Sequence, residues 1–241
     1  FMRSTLSNEI ILKVQDIQSY IGHYHILENV SFEVPKGSIV ALLGRNGAGK
    51  TTTLKSIMNL VDVREGIILF EDQPIQGLSP YEVAQRDIGY VPEHRAIFRD
   101  LSVEENLRIA ERKKGDFDAK REMIFELFPD LKKFINLRGT ELSGGQQQML
   151  AIARALVPQN RLLLIDEPSE GLAPVIIEQL IEVIAKLAKT STVILVDQNF
   201  LVTSKLADYY VIIEEGKSVE HGVMAELIGD QAKIHRYLGV A

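Results

Sequence analysis

The chain has 241 residues, of which 46% are hydrophobic and 25% are charged, and its formal net charge is −6. This is the composition of an ordinary globular domain, and the net negative charge argues against nucleic acid as the main partner, because phosphate binding favours a basic surface. The chain contains no cysteine, which excludes disulfides and thiolate metal sites, and its longest apolar runs are far shorter than the ~20 residues of a membrane-spanning helix.

Short apolar segments rich in β-formers recur along the chain, and helical patterns separate several of them. The segments 162–165 and 193–196 are apolar throughout, as expected for central strands that are buried on both faces. This alternation predicts an α/β fold with a mostly parallel sheet, and the strands before residue 44 are expected to form an antiparallel flank. The predicted strands are 10–14, 30–34, 39–43, 67–70, 88–91, 162–165, 193–196 and 209–213, the predicted helices between them are 50–60, 174–189 and 200–207, and 214–217 is a predicted hairpin turn.

The segment Gly-Arg-Asn-Gly-Ala-Gly-Lys-Thr at 44–51 matches the pattern G-x4-G-K-[ST] and lies between a predicted strand and a predicted helix. Its glycines allow backbone N–H groups to close around a β-phosphate, and Lys50 can reach the β- and γ-phosphate oxygens. The Thr51 hydroxyl is available to Mg²⁺, and Thr52 can add a hydroxyl near the α-phosphate. A chance glycine loop is the alternative, which the strand–loop–helix context disfavours. The predicted nucleotide-binding residues here are Gly44, Arg45, Asn46, Gly47, Ala48, Gly49, Lys50, Thr51 and Thr52.

Between residues 95 and 157 the pattern becomes helical, with helical spacing at 103–113, 119–128 and 143–157. We interpret 95–157 as a helical subdomain that is inserted into a single domain spanning 8–241. The sequence Leu-Ser-Gly-Gly-Gln-Gln-Gln at 142–148 opens the last of these helices, and the N–H groups of a helix N-terminus form an anion site. A second phosphate-binding element is therefore predicted at Ser143, Gly144, Gly145 and Gln146.

Two acidic residues, Asp166 and Glu167, end the predicted buried strand 162–165. A carboxylate is costly in such a place unless it has a partner. We expect Asp166 to hold Mg²⁺, directly or through water, and Glu167 to polarise an attacking water as general base. The alternative is an acidic pair that faces solvent, and the phosphate loop at 44–51 makes that interpretation the weaker one.

Taken in this order, the three segments resemble the Walker A, signature and Walker B motifs of ABC-type ATPases, and the resemblance covers essentially the whole chain. It implies a P-loop NTPase fold with an antiparallel β flank and an inserted helical subdomain, and ATP and Mg²⁺ as cofactors. It also implies a head-to-tail dimer. In that dimer Ser143, Gly144 and Gly145 of one copy contact the γ-phosphate that is held by the other copy's loop.

The same resemblance assigns smaller elements and reveals three departures from the family pattern. Tyr20 lies where the family has an aromatic residue that stacks on adenine, although a packed core tyrosine is the alternative. Glu93 replaces a glutamine that contacts Mg²⁺ and water, Gln198 replaces a histidine on the γ-phosphate, and Ala173 replaces an aspartate that reaches across the dimer. The principal charged residues are intact, which favours an active enzyme. The implied catalytic residues are Glu167, Lys50 and Gln198, and the implied metal ligands are Thr51, Glu93 and Asp166.

The segments around 90–93, 142–156, 171–174 and 196–199 together resemble one subgroup of the family. It comprises the second, shorter ATP-binding subunits of bacterial branched-chain amino-acid importers, and importer subunits for urea or short amides are close relatives. The resemblance implies an ATP-hydrolysing motor subunit that binds transmembrane permease subunits. It also implies pairing as a homodimer, or as a heterodimer with a related ATPase. The subunit would lie at the cytoplasmic face of the inner or plasma membrane and contact the membrane only through the permease.

Two other classes of function remain as alternatives. A soluble ABC ATPase of DNA repair or translation generally needs a long coiled-coil insertion or tandem ATPase units, and the acidic charge disfavours nucleic acid. A nucleotide-sensing regulator that binds ATP without useful turnover is kept open by the substitutions at 93, 173 and 198, because each removes a group that usually assists hydrolysis.

Overall fold

The computed structural model describes residues 9–239, so residue 8 and residues 240–241 of the predicted domain lie outside the described part. Within that part the strands belong to one mixed sheet with the order β5-β4-β1-β2-β10-β9-β3-β8-β7-β6. The strands are β1 (Ile10–Ile21), β2 (Tyr24–Pro35), β3 (Ile39–Leu43), β4 (Asp62–Phe70), β5 (Gln73–Pro74), β6 (Ile88–Val91), β7 (Leu162–Asp166), β8 (Thr192–Val196), β9 (Tyr209–Glu214) and β10 (Lys217–Val223). The helices are α1 (Lys50–Ile57), α2 (Pro80–Ala84), α3 (Val103–Arg108), α4 (Asp116–Leu127), α5 (Pro129–Lys133), α6 (Gly144–Leu156), α7 (Pro174–Leu187), α8 (Phe200–Leu206), α9 (Met224–Gly229) and α10 (Gln231–Leu238).

The parallel core of the sheet consists of β6, β7, β8, β3 and β9, in that spatial order. Every residue of β3, β7 and β8 is buried, because helices and the β flank cover both faces. Successive residues of β3 belong to different apolar clusters, with Val40 and Leu42 packed towards the flank and α1, and Ile39 towards the helices on the other face. This arrangement confirms the predicted α/β fold and fixes the end of β3, where the phosphate loop begins.

The antiparallel flank contains more strands than the prediction, which included only strands before residue 44. Strand β1 pairs with β2 on one side and with β4 on the other, and the short strand β5 pairs with the outer edge of β4. Thus strands that follow the phosphate loop complete a layer that begins before it. The predicted turn between β9 and β10 is also confirmed: Glu215 and Gly216 both have positive φ, which is the conformation of a tight hairpin turn.

The chain between β6 and β7 contains α3 to α6 and a 3₁₀ turn at Gly139–Glu141. Buried apolar residues of these helices, α7 and one face of the central strands form one continuous cluster. The segment therefore packs onto the sheet rather than around a core of its own. No helix in the range 9–239 is long and apolar enough to cross a lipid bilayer.

One predicted helix was too long, and one short helix was not predicted. The predicted helix 103–113 ends at Arg108, because the backbone N–H groups of Arg112 and Lys113 donate to the Asp116 carboxylate instead of continuing the helix. The short helix α2 was not predicted, although Ser79 and Glu82 form a capping box at its start. That pairing of serine and glutamate three residues apart was readable in the sequence.

Candidate functional site

The phosphate loop connects the buried strand β3 to helix α1 in a space that tolerates no side chain at two of its glycines. Gly44 has φ 143°, and a Cβ there would lie 2.1 Å from the carbonyl oxygen of Ile213. Gly49 has φ 113°, and its Cβ would lie 2.6 Å from a methyl carbon of Leu27. Both positions combine a backbone conformation that favours glycine with a close neighbour. The loop is therefore held tightly against β9 and the flank.

Lys50, the first residue of α1, folds its side chain back over this loop. The residue is only 5% exposed, and its ammonium donates hydrogen bonds to the carbonyl oxygens of Gly44 (3.0 Å) and Arg45 (3.2 Å). Burial lowers the pKa of the ammonium, and the nearby carboxylate of Glu167 opposes that shift. The loop carbonyls thus hold a cation whose charge is available to an anion in the loop.

Asp166 ends β7 beneath the phosphate loop and is fully buried. One of its carboxylate oxygens accepts a hydrogen bond from the Thr51 hydroxyl at 2.9 Å, and the other accepts one from the Tyr90 hydroxyl at 3.2 Å. Burial raises the pKa of Asp166, while these two hydrogen bonds lower it. The structure therefore brings together Thr51 and Asp166, two of the three residues predicted to bind Mg²⁺.

Glu167 follows directly and has a left-handed backbone conformation, with φ 48°. Such a conformation is unusual for a residue with a Cβ and is concentrated at functional sites. It is stabilised by a hydrogen bond from the Glu167 N–H to the Val196 carbonyl at 2.7 Å. Burial raises the pKa of the Glu167 carboxyl to about 7, against the opposing effects of Lys50 and of a hydrogen bond from Gln198. A carboxyl that titrates near neutral pH suits a general base.

An open cavity of about 330 Å³ lies beside the loop, and all three predicted catalytic residues and six residues of the phosphate loop and the start of α1 line it. Glu93, Glu167 and Gln198 reach it from the ends of β6, β7 and β8, where the carboxyl ends of parallel strands meet. Arg45 instead points to the C-terminal helix α10 and donates to the Arg236 carbonyl. The lining residues are Ile21, Ile26, Asn46, Gly47, Gly49, Lys50, Thr51, Thr52, Glu93, Glu167 and Gln198.

Tyr20 does not line this cavity. Its ring stacks on His25, with centroids 4.3 Å apart and planes 3° apart, and the Arg64 guanidinium carbon lies 4.1 Å from the ring centroid. The neighbouring residue Ile21, which is 50% exposed, lines the cavity. The prediction that Tyr20 stacks on the nucleotide base stays a prediction, and such stacking would require His25 or Arg64 to leave the ring.

A bulge in β1 explains the difference. Leu12 and Val14 are buried at even positions, but the register with β2 shifts after Val14, where Asp16 has φ 50°. Beyond the bulge the odd positions are turned towards α1, as the hydroxyl contact from Ser19 to that helix demonstrates. Because strand residues alternate between faces, Ile21 lies on the α1 side and Tyr20 on the opposite side.

The second predicted phosphate element begins helix α6. Ser143 is the N-cap: its hydroxyl accepts from the Gln146 N–H at 3.3 Å, and its N–H donates to the Gln146 side chain at 2.9 Å. Gly144 and Gly145 form the first turn, and their N–H groups have no partner within the helix. None of the residues that line the loop cavity comes from this turn. The structure thus does not bring the two phosphate elements of one chain together.

The sequence analysis also gave no role to Tyr90 and Asp197, two polar residues near the site. Tyr90 contacts Asp166, as described above, and burial raises its pKa. Asp197 is buried after β8 and accepts hydrogen bonds from the Ser169 hydroxyl at 2.7 Å and the Asn199 N–H at 2.8 Å. Its position directly after a predicted central strand was an available signal, because the carboxyl ends of parallel strands share one edge.

The amino-acid sequence matches one family profile and is similar to the sequences of known proteins. A family profile described as "ABC transporter" matches residues 27–170. BraG of Pseudomonas aeruginosa, described as a high-affinity branched-chain amino acid transport ATP-binding protein, is 41% identical over 232 residues, which cover 95% of this chain and 100% of the relative. LivF of Archaeoglobus fulgidus, described as a probable branched-chain amino acid transport ATP-binding protein, is 35% identical over 226 residues, which cover 90% and 94%.

A solved structure shares the fold. The crystal structure of a nucleotide-free ATP-binding cassette from an ABC transporter matches with a TM-score of 0.85 at 23% sequence identity. The match covers 97% of this chain and 100% of that chain. The similarity therefore extends over the β flank, the parallel core and the helices between β6 and β7.

Proposed function

This chain belongs to the family of ABC transporter ATP-binding proteins, and we propose that it is the ATP-hydrolysing motor subunit of a membrane importer for branched-chain amino acids. The observation that carries the hydrolytic part is one cavity lined by the phosphate loop, by Thr51, which donates to the buried Asp166, and by Glu167, whose pKa is raised to about 7. The 41% identity to BraG supports the class of cargo. Import of urea or a short amide is the alternative.

In this proposal the N–H groups of the phosphate loop surround the β- and γ-phosphates of ATP, and the Lys50 ammonium turns from the loop carbonyls to the phosphate oxygens. Glu167 accepts the proton of the attacking water. Gln198, which already donates to Glu167, orients that water or a γ-phosphate oxygen. An amide keeps the hydrogen bond but does not titrate.

Thr51, Asp166 and Glu93 are the proposed holders of Mg²⁺. They offer only oxygen atoms, which is the donor set that Mg²⁺ prefers, and few protein ligands suffice because phosphate oxygens and water complete its shell. Within the described range 9–239, no three histidine, cysteine, aspartate or glutamate side chains are grouped so that they could hold a metal ion. When bound, Mg²⁺ would neutralise charge that develops on the phosphates.

The turn at Ser143, Gly144 and Gly145 lies outside the chain's own cavity, and this supports a site shared between two chains. A phosphate held by the loop of a second copy, or of a related ATPase, would meet the free N–H groups of this turn. The domain division follows the same proposal, with a single domain over 8–241 and a helical insert over 95–157 that presents the turn.

The proposed partners are transmembrane permease subunits, through which the chain would be held at the cytoplasmic face of the membrane. Nucleic acid is not expected as a partner, given the net charge of −6. In this proposal the permease contact lies on the helical insert and on the loop that follows Glu93.

The shared site predicts that ATPase activity depends on protein concentration. Specific activity per chain, measured with Mg²⁺ and saturating ATP, should rise several-fold as the purified chain is concentrated through its dimerisation range. A chain that hydrolyses ATP alone would have the same specific activity at every concentration. Either that result or the absence of Mg²⁺-dependent hydrolysis would contradict the proposed function.

The position of Ile21 in the cavity lining predicts that this side chain contributes to ATP affinity. Replacing Ile21 with alanine should weaken ATP binding about 5- to 10-fold, because apolar area that covers the base would be lost at roughly 25 cal/mol per Å². Tyr20→Leu should leave the affinity within about twofold, since that ring packs between His25 and Arg64. Equilibrium titration with a fluorescent ATP analogue distinguishes the two variants. A loss of affinity confined to Tyr20→Leu would return the base contact to Tyr20.

A further inference from the structure

Arg95 lies in the segment between β6 and α3, two residues after Glu93, which lines the nucleotide cavity. Arg95 and Ala96 have φ 55° and 48°, so two consecutive residues with a Cβ adopt the left-handed conformation. Such backbone conformations cost free energy and are concentrated at active sites, ligand clamps and switch regions. The turn therefore fixes the direction in which the Arg95 side chain leaves the backbone.

The Arg95 guanidinium lies against the first turn of α6. Its Nη1 atom donates to the side-chain oxygen of Gln147 at 3.3 Å, and a Cβ added to Gly144 would be 3.1 Å from the same nitrogen. A Cβ added to Gly171 would be 4.0 Å from Nη2. The Arg95 side chain thus extends from the loop that carries Glu93. Its guanidinium lies between the turn at 143–145 and the turn that follows Glu167.

The charge of Arg95 is not neutralised by the chain itself. Within residues 9–239 no carboxylate forms an ion pair with it, and the first turn of α6 contains no acidic residue. The N-terminus of a helix already carries positive partial charge, so a cation placed beside it is repelled. Helices α2 and α3 are also capped by serine, but there a glutamate completes the capping box.

A purely structural role does not account for this arrangement. The hydrogen bond to Gln147 and the packing against Gly144 require a long polar side chain but no charge, and a neutral one would avoid the repulsion from the helix terminus. Two adjacent positive elements without an acidic partner are favourable when an anion binds between them. The proposed function supplies such an anion in the γ-phosphate of ATP on a second chain.

We propose that Arg95 is a further catalytic residue, which contacts the γ-phosphate bound by the phosphate loop of the second chain, together with Ser143, Gly144 and Gly145. The inference rests on the proposed shared site. Arg95 would be the cation of the chain that presents the turn at 143–145. Lys50 would be the cation of the chain whose phosphate loop holds ATP.

The test measures ATP-driven dimerisation, by sedimentation with ATP and Mg²⁺, in chains that also carry Glu167→Gln to prevent turnover. Arg95→Gln retains a side chain that can hydrogen-bond to Gln147 but removes the charge, and it should weaken dimerisation at least tenfold. Arg95→Lys should recover dimerisation to within about threefold of the parent. ATP affinity at concentrations too low for dimerisation should stay within twofold in both, which also verifies folding.

Two controls separate the charge from the packing. Gln147→Ala removes the acceptor of Arg95 and the two hydrogen bonds that the Gln147 amide donates to the carbonyls of Gly139 and Leu142, but it leaves the guanidinium. Dimerisation should therefore stay within about threefold of the parent. Arg99→Gln removes an exposed cation four residues further along the same loop and should have no effect. Dimerisation of Arg95→Gln equal to that of the parent would overturn the inference. If the parent itself fails to dimerise with ATP, the proposed function fails, and the inference fails with it.

Discussion

Replacing Glu167 with glutamine is expected to lower the ATPase rate at least 100-fold, while ATP binding persists. A positioned general base contributes about 10²- to 10⁴-fold to a rate, and glutamine keeps the size and hydrogen-bonding capacity of the side chain but cannot accept the proton. Because ATP would bind without being consumed, the variant should also accumulate as an ATP-bound dimer. Phosphate release and sedimentation measure the two outcomes.

The pKa of about 7 gives this prediction a pH dependence. The wild-type rate should rise as the pH increases through neutrality and the carboxyl ionises, and the residual rate of the variant should not. The folded-state pKa lies above the ordinary value of 4.5, so the contribution of this group to stability is complete below about pH 4.5 and is lost as the pH rises through 7. Glu167→Gln should therefore raise the melting temperature more at pH 8 than at pH 5.

A matched control is Glu170→Gln, which changes an exposed carboxylate in the next turn and should leave the rate within about twofold. Rapid turnover by Glu167→Gln would assign the base to another residue. A melting-temperature difference that does not change with pH would mean that the Glu167 carboxyl is not held in its neutral form by burial.

Replacing Lys50 with alanine is expected to weaken ATP binding by about 10- to 100-fold and to remove measurable turnover. Hydrogen bonds to charged groups contribute roughly 1.5–3 kcal/mol each, and in the transition state the ammonium also stabilises charge on the β- and γ-phosphates. Without nucleotide the fold should tolerate the change, because the carbonyls of Gly44 and Arg45 would lose a donor that water can replace. ATP titration and phosphate release provide the measurement.

Lys36→Ala is the control for this change, since Lys36 is exposed and paired with Glu9 at the far end of the flank. Its variant should bind and hydrolyse ATP like the wild type. If Lys50→Ala retained wild-type affinity, the phosphates would have to bind elsewhere than in the loop at 44–51.

Sequence patterns predicted the parts of the site that depend on local geometry. Three parts of the site each lie at one boundary of a strand or helix: the phosphate loop, the acidic pair at the end of β7 and the serine at the start of α6. Such a boundary is recognisable from the residues on either side. The antiparallel flank was predicted only in part, because its outer strands come from beyond the phosphate loop, and strand pairing over such a distance has no local signal.

The position of Tyr20 outside the cavity lining has a different physical cause. In a regular strand Tyr20 would lie on the same face as the buried residues Leu12 and Val14, because all three are at even positions. The bulge at Asp16 exchanges the faces of the even and odd positions that follow it. A bulge depends on pairing with a neighbouring strand and is not visible in one strand alone. Arg95 was missed for a similar reason, since its importance comes from contact with a helix about fifty residues away in the sequence.

The shared phosphate site can be tested most directly by crosslinking between two chains. The chain has no cysteine, so Asn46→Cys in the phosphate loop and Ser143→Cys in the α6 turn each introduce one thiol. Both would be made with Glu167→Gln, mixed, and treated with a short bifunctional thiol reagent. We expect a covalent dimer that contains one chain of each kind and forms only with ATP and Mg²⁺. No mixed crosslink with ATP, or the same yield without nucleotide, would contradict a site shared between two chains.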